Sequence, residues 1–251
     1  MDIVSTSRGT SSDPSSDRLA AASDLLVRIG RDFAPARLAV SGGVEDMVLL
    51  DLASRYAVAL EPFMLDTGRL HPETHALVAA AEARYRRRIA IYAPDAAAVE
   101  HYIRLNGVNG FYESVAQRKD CCGVRKVAPL KRALAGARAW VTGQRKDQSP
   151  TRSALAEAEW DAVHGIDKFN PLAAWTQEDV WSYVRTHDVP VNALHAQGYP
   201  SIGCAPCTRP VAPGEDARAG RWWWEDAQGK ECGLHPGTAT AGASTAGNAA
   251  S

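Results

Sequence analysis

Residues 37–55, RLAVSGGVEDMVLLDLASR, run from a short apolar stretch through two glycines into a segment of helical character. Arg37–Val40 is predicted as a strand, Ser41-Gly42-Gly43 as the turn that ends it, and a helix follows through Arg55. Glycines after a strand let backbone N–H groups approach a phosphate, and the N-terminus of the next helix favours the anion. Alone, this turn reads equally well as a plain strand–helix connection.

The alternation continues on both sides of it. Asp17–Ile29 carries Leu19, Leu25, Leu26 and Ile29 near helical spacing. Ala57–Leu65 is an apolar strand ending at Asp66-Thr67-Gly68, and Pro72 suits the first turn of a helix reaching about Arg87. Ile89–Tyr92 and Ala139–Thr142 are further strands, the second running into Gly143. Thr176–His187 is a helix with Thr176 as its N-cap. The pattern predicts an α/β fold, a mostly parallel sheet flanked by helices with its ligands at the C-terminal ends of the strands. From Asn192 to Gly237 the chain is rich in Gly and Pro and too irregular for regular layers. Residues 1–16 and the small-residue stretch 237–251 are expected to be disordered tails around a single domain, 17–236.

Composition removes several classes of partner. The 251 residues are 45% hydrophobic, enough for one sizeable core. With 28 basic and 29 acidic side chains the net charge is −1, which gives no broad footprint for nucleic acid or an anionic membrane. No stretch approaches the roughly 20 apolar residues that span a bilayer. The segment MDIVSTSRGTSSDPSSD lacks an apolar signal core. A cytoplasmic protein is expected.

In a reducing compartment the five cysteines point to metal binding or catalysis rather than disulfides. Cys121-Cys122 and Cys204-Ala205-Pro206-Cys207 supply four thiolates, which suit tetrahedral zinc or a [4Fe–4S] cluster. Adjacent cysteines are awkward in a zinc knuckle, because two successive side chains must turn to one centre and strain the backbone. A cubane offers separate irons, so the cluster is favoured. A vicinal disulfide is disfavoured by the compartment. A thioredoxin-like dithiol at Cys204 and Cys207 needs a following helix, against which Pro210 and Pro213 argue. Cys232 is left over for chemistry. His71 and His75 stand at i, i+4 spacing but lack a third ligand and read as helix surface.

Several of these stretches resemble a known family. SGGVED, residues 41–46, resembles the pyrophosphate loop of the adenine-nucleotide hydrolase fold, shared by ATP pyrophosphatases and sulfonucleotide reductases. The ATP pyrophosphatases usually have Asp-Ser where this chain has Asp46-Met47, a departure toward the reductases. LDTGRLHPET (65–74) and VTGQR (141–145) look like reductase motifs bordering the nucleotide. The Cys-Cys…Cys-x-x-Cys pattern with Arg125-Lys126, together with GYPSIGCAPCTR (198–209), PGEDARAGRWWWE (213–225) and KECGLH (230–235), is similar to the adenylyl-sulfate (APS) reductases. The resemblance covers residues 38–236, with a catalytic segment over about 208–236.

The resemblance implies the adenine nucleotide alpha hydrolase-like fold. It also implies thioredoxin-dependent reduction of APS to sulfite and AMP through an S-sulfocysteine, in assimilatory sulfate reduction and cysteine biosynthesis. Cys121, Cys122, Cys204 and Cys207 would ligate a [4Fe–4S] cluster, and Cys232 would be the nucleophile. Lys126 would lie between cluster and substrate, with Arg218, Arg221 and His235 on phosphosulfate oxygens. Ser41, Gly42, Gly43, Asp66, Thr67, Gly68, Thr142, Gly143 and Arg145 would line the nucleotide site. Trp222–Trp224 read as anchors of an irregular segment rather than a base-stacking platform. A sixth cysteine is absent, so an external dithiol, thioredoxin or a glutaredoxin-like protein, is implied. Use of 3′-phospho-APS (PAPS), alone or as well, and a homo-oligomer stay open. An ATP-dependent RNA-thiolation enzyme of the same fold is disfavoured by Met47 and the near-neutral charge.

Overall fold

The alternating segments assemble into one six-stranded sheet in the computed structural model, which describes residues 14–56, 59–148, 152–225 and 234. The strands are β1 (Ala36–Ala39), β2 (Leu60–Leu65), β3 (Ala90–Tyr92), β4 (Ala139–Val141), β5 (Ala158–Asp161) and β6 (Ile166–Phe169). Their spatial order is β3-β2-β1-β4-β6-β5, and every pairing is parallel except the antiparallel β5–β6 edge. Central β1 sets the register, with Ala36 opposite Leu60 on one side and Ala139 on the other.

Helices cover both faces. α1 (Pro14–Asp32), α2 (Val44–Arg55), α3 (Pro72–Tyr85) and α7 (Gln177–His187) bury Leu26, Ile29, Leu49, Leu52, Leu77 and Val180 with Leu38 and Val141 of the sheet. On the opposite face α6 (Ala128–Ala133) sets Leu130 and Ala133 against Phe63 and Trp140. The alternation of burial between the two faces is what a strand period of two requires. α4 (Ala96–Asn106) and α5 (Val115–Cys122) frame a third, smaller cluster of Tyr102, Phe111, Trp222 and three of the cysteines.

The Thr176 cap forms a full capping box, its hydroxyl accepting from Asp179 N (3.1 Å) while the Asp179 carboxylate accepts from Thr176 N (2.8 Å). Other local signals are absent from the sequence reading. α4 is capped by Asp95 and α5 by Ser114, yet neither helix carries a long apolar stripe. β5 and β6 are four-residue strands with charged positions. α1 begins at Pro14, inside the segment expected to be disordered, because Pro tolerates the first turn and Asp17 favours it. Residues 1–13 and 237–251 lie outside the described residues.

The strand order fixes where a ligand goes. From β1 the chain crosses to β2 on one side, whereas β4 returns to the other side of β1. The loops leaving β1 and β4, residues 41–43 and 142–145, therefore part company and open a crevice. Among the described residues no helix is long and apolar enough to cross a membrane.

Candidate active site

At the crevice, α2 starts behind Gly43 without a side-chain cap, so its first amides face the turn. The Ser41 N–H and hydroxyl both donate to Asp46, at 2.7 and 2.5 Å. Burial, with Glu45 beside it, pushes the Asp46 carboxyl up to about 6 against the hydrogen bonds from Ser41 and Gly143. Gly143 belongs there for lack of a side chain, since a Cβ would lie 2.5 Å from Asp46 Oδ1 and 2.8 Å from Glu45 Cβ. Arg145 then spans the two diverging loops. Its Nε and Nη2 donate to Glu45 Oε1 (3.0 and 2.9 Å), and its Nη1 to the Trp175 carbonyl (3.2 Å) and Asp147 (3.3 Å). Thr142 donates to Asn170 Oδ1 (2.6 Å).

A cavity of about 810 Å³ fills the crevice. Phe63, Leu65, Leu130 and Trp140 form an apolar end, where Leu234 packs, and Lys126, Arg218 and Arg221 bring positive charge. Ser41, Gly43, Thr67, Thr142, Gly143 and Arg145 also line it. Gly42, Asp66 and Gly68 are not among the lining residues. Instead the Asp66 carboxylate holds Gly68 N (2.8 Å) and His75 (3.1 Å), shaping the turn after β2. His71 packs edge-on against Tyr199, so the two histidines do not share a ligand.

Beside the crevice the four cysteines and Arg69, Arg118, Arg125 and Lys126 line a second cavity of about 20 Å³. Lys126 and Cys204 belong to both cavity walls. All four cysteines are buried and none is in a disulfide. Cys121 and Cys122 both lie on α5. α5 runs through both with Cys122 at ordinary helical angles (φ −64°, ψ −37°), then widens into a π-turn over Gly123–Val127. That turn carries Arg125 and Lys126 into the walls. Cys204-Ala205-Pro206-Cys207 makes one 3₁₀ turn and then extended chain, which gives neither thiol a helix dipole.

Long-range polar contacts hold this cradle. The Thr67 hydroxyl lies 3.2 Å from Cys204 Sγ, and Arg125 donates to the Thr67 carbonyl (2.7 Å). Ala205 N donates to Arg69 O, and the Tyr112 hydroxyl to Pro206 O, both at 2.8 Å. Arg118 makes a bidentate pair with Glu225 (2.8 and 2.7 Å), both side chains sequestered from solvent. Trp222 lies under both Arg118 and Arg221, each 4.8 Å from its ring, and Trp224 packs on Tyr112. Arg221 lies so close over Gly203 that a Cβ there would come 2.5 Å from Nη2.

The thiols do not share one fate. Burial resists ionisation of Cys204, but Lys126, the Thr67 hydroxyl, Arg221 and Arg125 outweigh it and hold its pKa below the ordinary thiol value. Burial and the neighbouring Cys204 push Cys207 up to about 12, and burial and Cys122 raise Cys121. Among the described residues no group of three or more His, Cys, Asp or Glu is set to hold a metal ion. Cys232 and His235 lie outside the described residues.

The sequence reading passed over Glu45, Arg69, Arg118, Gln144 and Glu225. For Arg118 a signal existed. It precedes Cys121 and Cys122 by three and four residues, so a helix through the pair puts all three on one face. Nothing local announces Glu225 as its partner.

A mostly parallel sheet whose glycine-bearing loops open a crevice at the switch point defines an α/β protein of adenine nucleotide alpha hydrolase-like fold. Solved structures agree. The PAPS reductase from Candida auris, a phosphate complex, superposes with a TM-score of 0.64 at 27% identity, covering 81% of this chain and all of that one. An FMN adenylyltransferase from Candida glabrata matches at 0.53 and 15% identity, a likeness of fold alone. The phosphoadenosine phosphosulfate reductase domain matches residues 35–210. An adenosine 5′-phosphosulfate reductase from Allochromatium vinosum is 52% identical over 90% of this chain and 88% of its own length. One from Burkholderia cepacia is 53% identical over 86% of each. The chain belongs to the phosphoadenosine phosphosulfate reductase domain family.

Proposed function

We propose that this chain reduces adenylyl sulfate to sulfite and AMP. The observation that carries this is the shared wall, where Lys126 and Cys204 join a nucleotide-sized crevice to a cavity lined by four thiols. The half-identical relatives named adenosine 5′-phosphosulfate reductase support it from a separate direction. α2's free N-terminal amides and Ser41–Gly43 suit the phosphate, and Lys126, Arg218, Arg221 and His235 suit the phosphosulfate oxygens. Arg145, tied to Glu45, shapes the crevice by bridging its loops.

Cys121, Cys122, Cys204 and Cys207 are assigned to a [4Fe–4S] cluster. The fit rests on four buried thiols around one cavity with four cations in its walls, which offset thiolate charge where burial alone opposes it. A cluster takes each thiolate at a separate iron, so its ligands stand further apart than those of a single ion. Bound there, it supplies a fixed charge centre beside the anion site.

Cys232 is assigned as nucleophile. Its thiolate attacks the sulfuryl sulfur, the S–O bond to AMP breaks, and an S-sulfocysteine forms. A thiol of an external dithiol, thioredoxin, then attacks the Cys232 sulfur and releases sulfite as a mixed disulfide forms. The second thiol resolves that disulfide, so the donor leaves oxidised and Cys232 returns as a thiol. With four of the five cysteines assigned to the cluster, no internal thiol remains to resolve it.

A single-turnover assay tests the reading. Protein mixed with APS and no reductant is expected to release AMP and carry a sulfo adduct on the Cys232 peptide, with sulfite appearing only when thioredoxin is added. Sulfite from Cys232→Ser at the parent rate would overturn the assignment. The same assay with PAPS sets the substrate preference.

A further inference from the structure

The proposed chemistry uses the charged end of the crevice and leaves open which side chain reads the nucleoside. Gln144 follows Gly143 on the loop after β4, is 4% exposed and lines the 810 Å³ cavity. Among the described residues neither its Oε1 nor its Nε2 has a hydrogen-bond partner, although both atoms are buried. Other polar side chains of the cavity wall have partners of their own, Thr142 in Asn170, Arg145 in Glu45 and Ser41 in Asp46. Gln148, in the same loop, uses both ends of its amide, accepting from Arg145 N (3.2 Å) and donating to Gly143 O (3.4 Å). Native proteins pair nearly all such buried groups, so an amide left open toward a cavity asks for a ligand.

The amide also selects among ligand groups. It offers one acceptor and two donors side by side. Phosphate and sulfate oxygens only accept, so they would use Nε2 and set Oε1 against negative charge. A neutral group that both gives and takes hydrogen bonds satisfies both ends. The nucleoside has two such groups, the amino edge of adenine and the ribose hydroxyls, and glutamine is a standard reader of the first. Resting on the reading of the crevice as a sulfonucleotide site, we propose that Gln144 is a specificity-determining residue whose amide hydrogen-bonds the adenosine moiety.

Gln144→Leu conserves volume and removes both polar atoms. By calorimetry the variant is expected to bind AMP about ten- to a hundredfold more weakly, the effect of one or two lost hydrogen bonds. With APS, KM is expected to rise while kcat stays close to the parent. Its melting temperature without nucleotide should equal or exceed the parent's, whereas a merely structural amide would lower it. IMP, 2′-deoxy-AMP and 3′-deoxy-AMP then identify the contact. The analogue lacking the group that Gln144 reads should bind the parent weakly and lose nothing further in the variant. Parent-like AMP affinity in Gln144→Leu, or equal losses for every analogue in both proteins, would overturn the proposal. A parent that binds no AMP would bring down the sulfonucleotide reading, and this proposal with it.

Discussion

The crevice at the switch point is lined by the loops that leave β1 and β4, whose motifs lie within a few residues of a strand end, together with residues 200–204 and 211–218. The cavity beside it is walled by one helix end, a π-turn, a distant 3₁₀ turn and the side chains of Arg69 and Phe111. The first inherits its shape from strand order, and removing one side chain leaves the backbone frame standing. The second has no sheet beneath it, and it depends on a few buried ion pairs and backbone caps such as Arg118–Glu225 and Ala205–Arg69. Binding of an anion by backbone amides tolerates the first kind of frame. Holding four thiols in one small space demands the second, because each needs its own position and its own compensating charge.

The largest expected effect comes where the regions meet. Cys204→Ser removes a thiol shared by both walls and its contact with Thr67. Anaerobically purified parent protein is expected to hold about four irons per chain with acid-labile sulfide. The variant should lose both, along with reductase activity. Full activity in a parent containing zinc and no iron would erase the distinction drawn between the two cavities.

A smaller effect separates the two kinds of frame. Glu225→Ala leaves Arg118 buried without its bidentate partner, which costs about 3–5 kcal/mol. For a chain of this size that lowers the melting temperature by on the order of 10 °C. The matching cut in the crevice, Glu45→Ala, leaves Arg145 with Asp147 and the Trp175 carbonyl. Its melting temperature should fall by less than half as much. Equal losses in thermal melts would mean that the crevice is as dependent on its ion pair as the cysteine side.

The same difference explains what the sequence made legible. β1, the Ser41–Gly43 turn and α2 follow from apolar periodicity and a glycine signal, all within twenty residues. The Thr176 cap follows from one residue's chemistry. α4 through α6 did not come through, since α5 is only eight residues of mixed polarity and its helix yields to a π-turn. The cysteine pattern pointed to one centre, and the structure brings all four thiols to the wall of one cavity. Arg118–Glu225 joins residues more than a hundred positions apart, and no local period encodes such a pair. Arg145, expected at the anion, lines the crevice and pairs there with Glu45 of the opposite loop, a carboxylate that no local pattern announces.

Asp46 offers the smallest effect, and it examines the crevice alone. Its carboxyl is lifted from 3.8 to about 6 by burial, opposed by hydrogen bonds from Ser41 and Gly143. Below pH 3.8 or so the group is protonated in both folded and unfolded chains and contributes no pH dependence. Between that point and about pH 6 the folded chain keeps a proton that the unfolded chain has released, so stability falls as pH rises. Above about pH 6 the loss is complete and constant, and by linkage amounts to no more than roughly 3 kcal/mol. Asp46→Asn removes the titration while its amide oxygen can still accept from Ser41 N. Urea unfolding from pH 4 to 7.5 is expected to give parent and variant curves that diverge up to about pH 6 and then run parallel, the parent losing ground. Curves parallel throughout would show an ordinary carboxylate. The same protonation removes a negative charge from the Ser41–Gly43 turn, so AMP affinity in the parent should rise below pH 6 and that rise should be missing in Asp46→Asn. A backbone frame that binds anions regardless of its side chains would show the opposite, equal pH profiles for the two proteins.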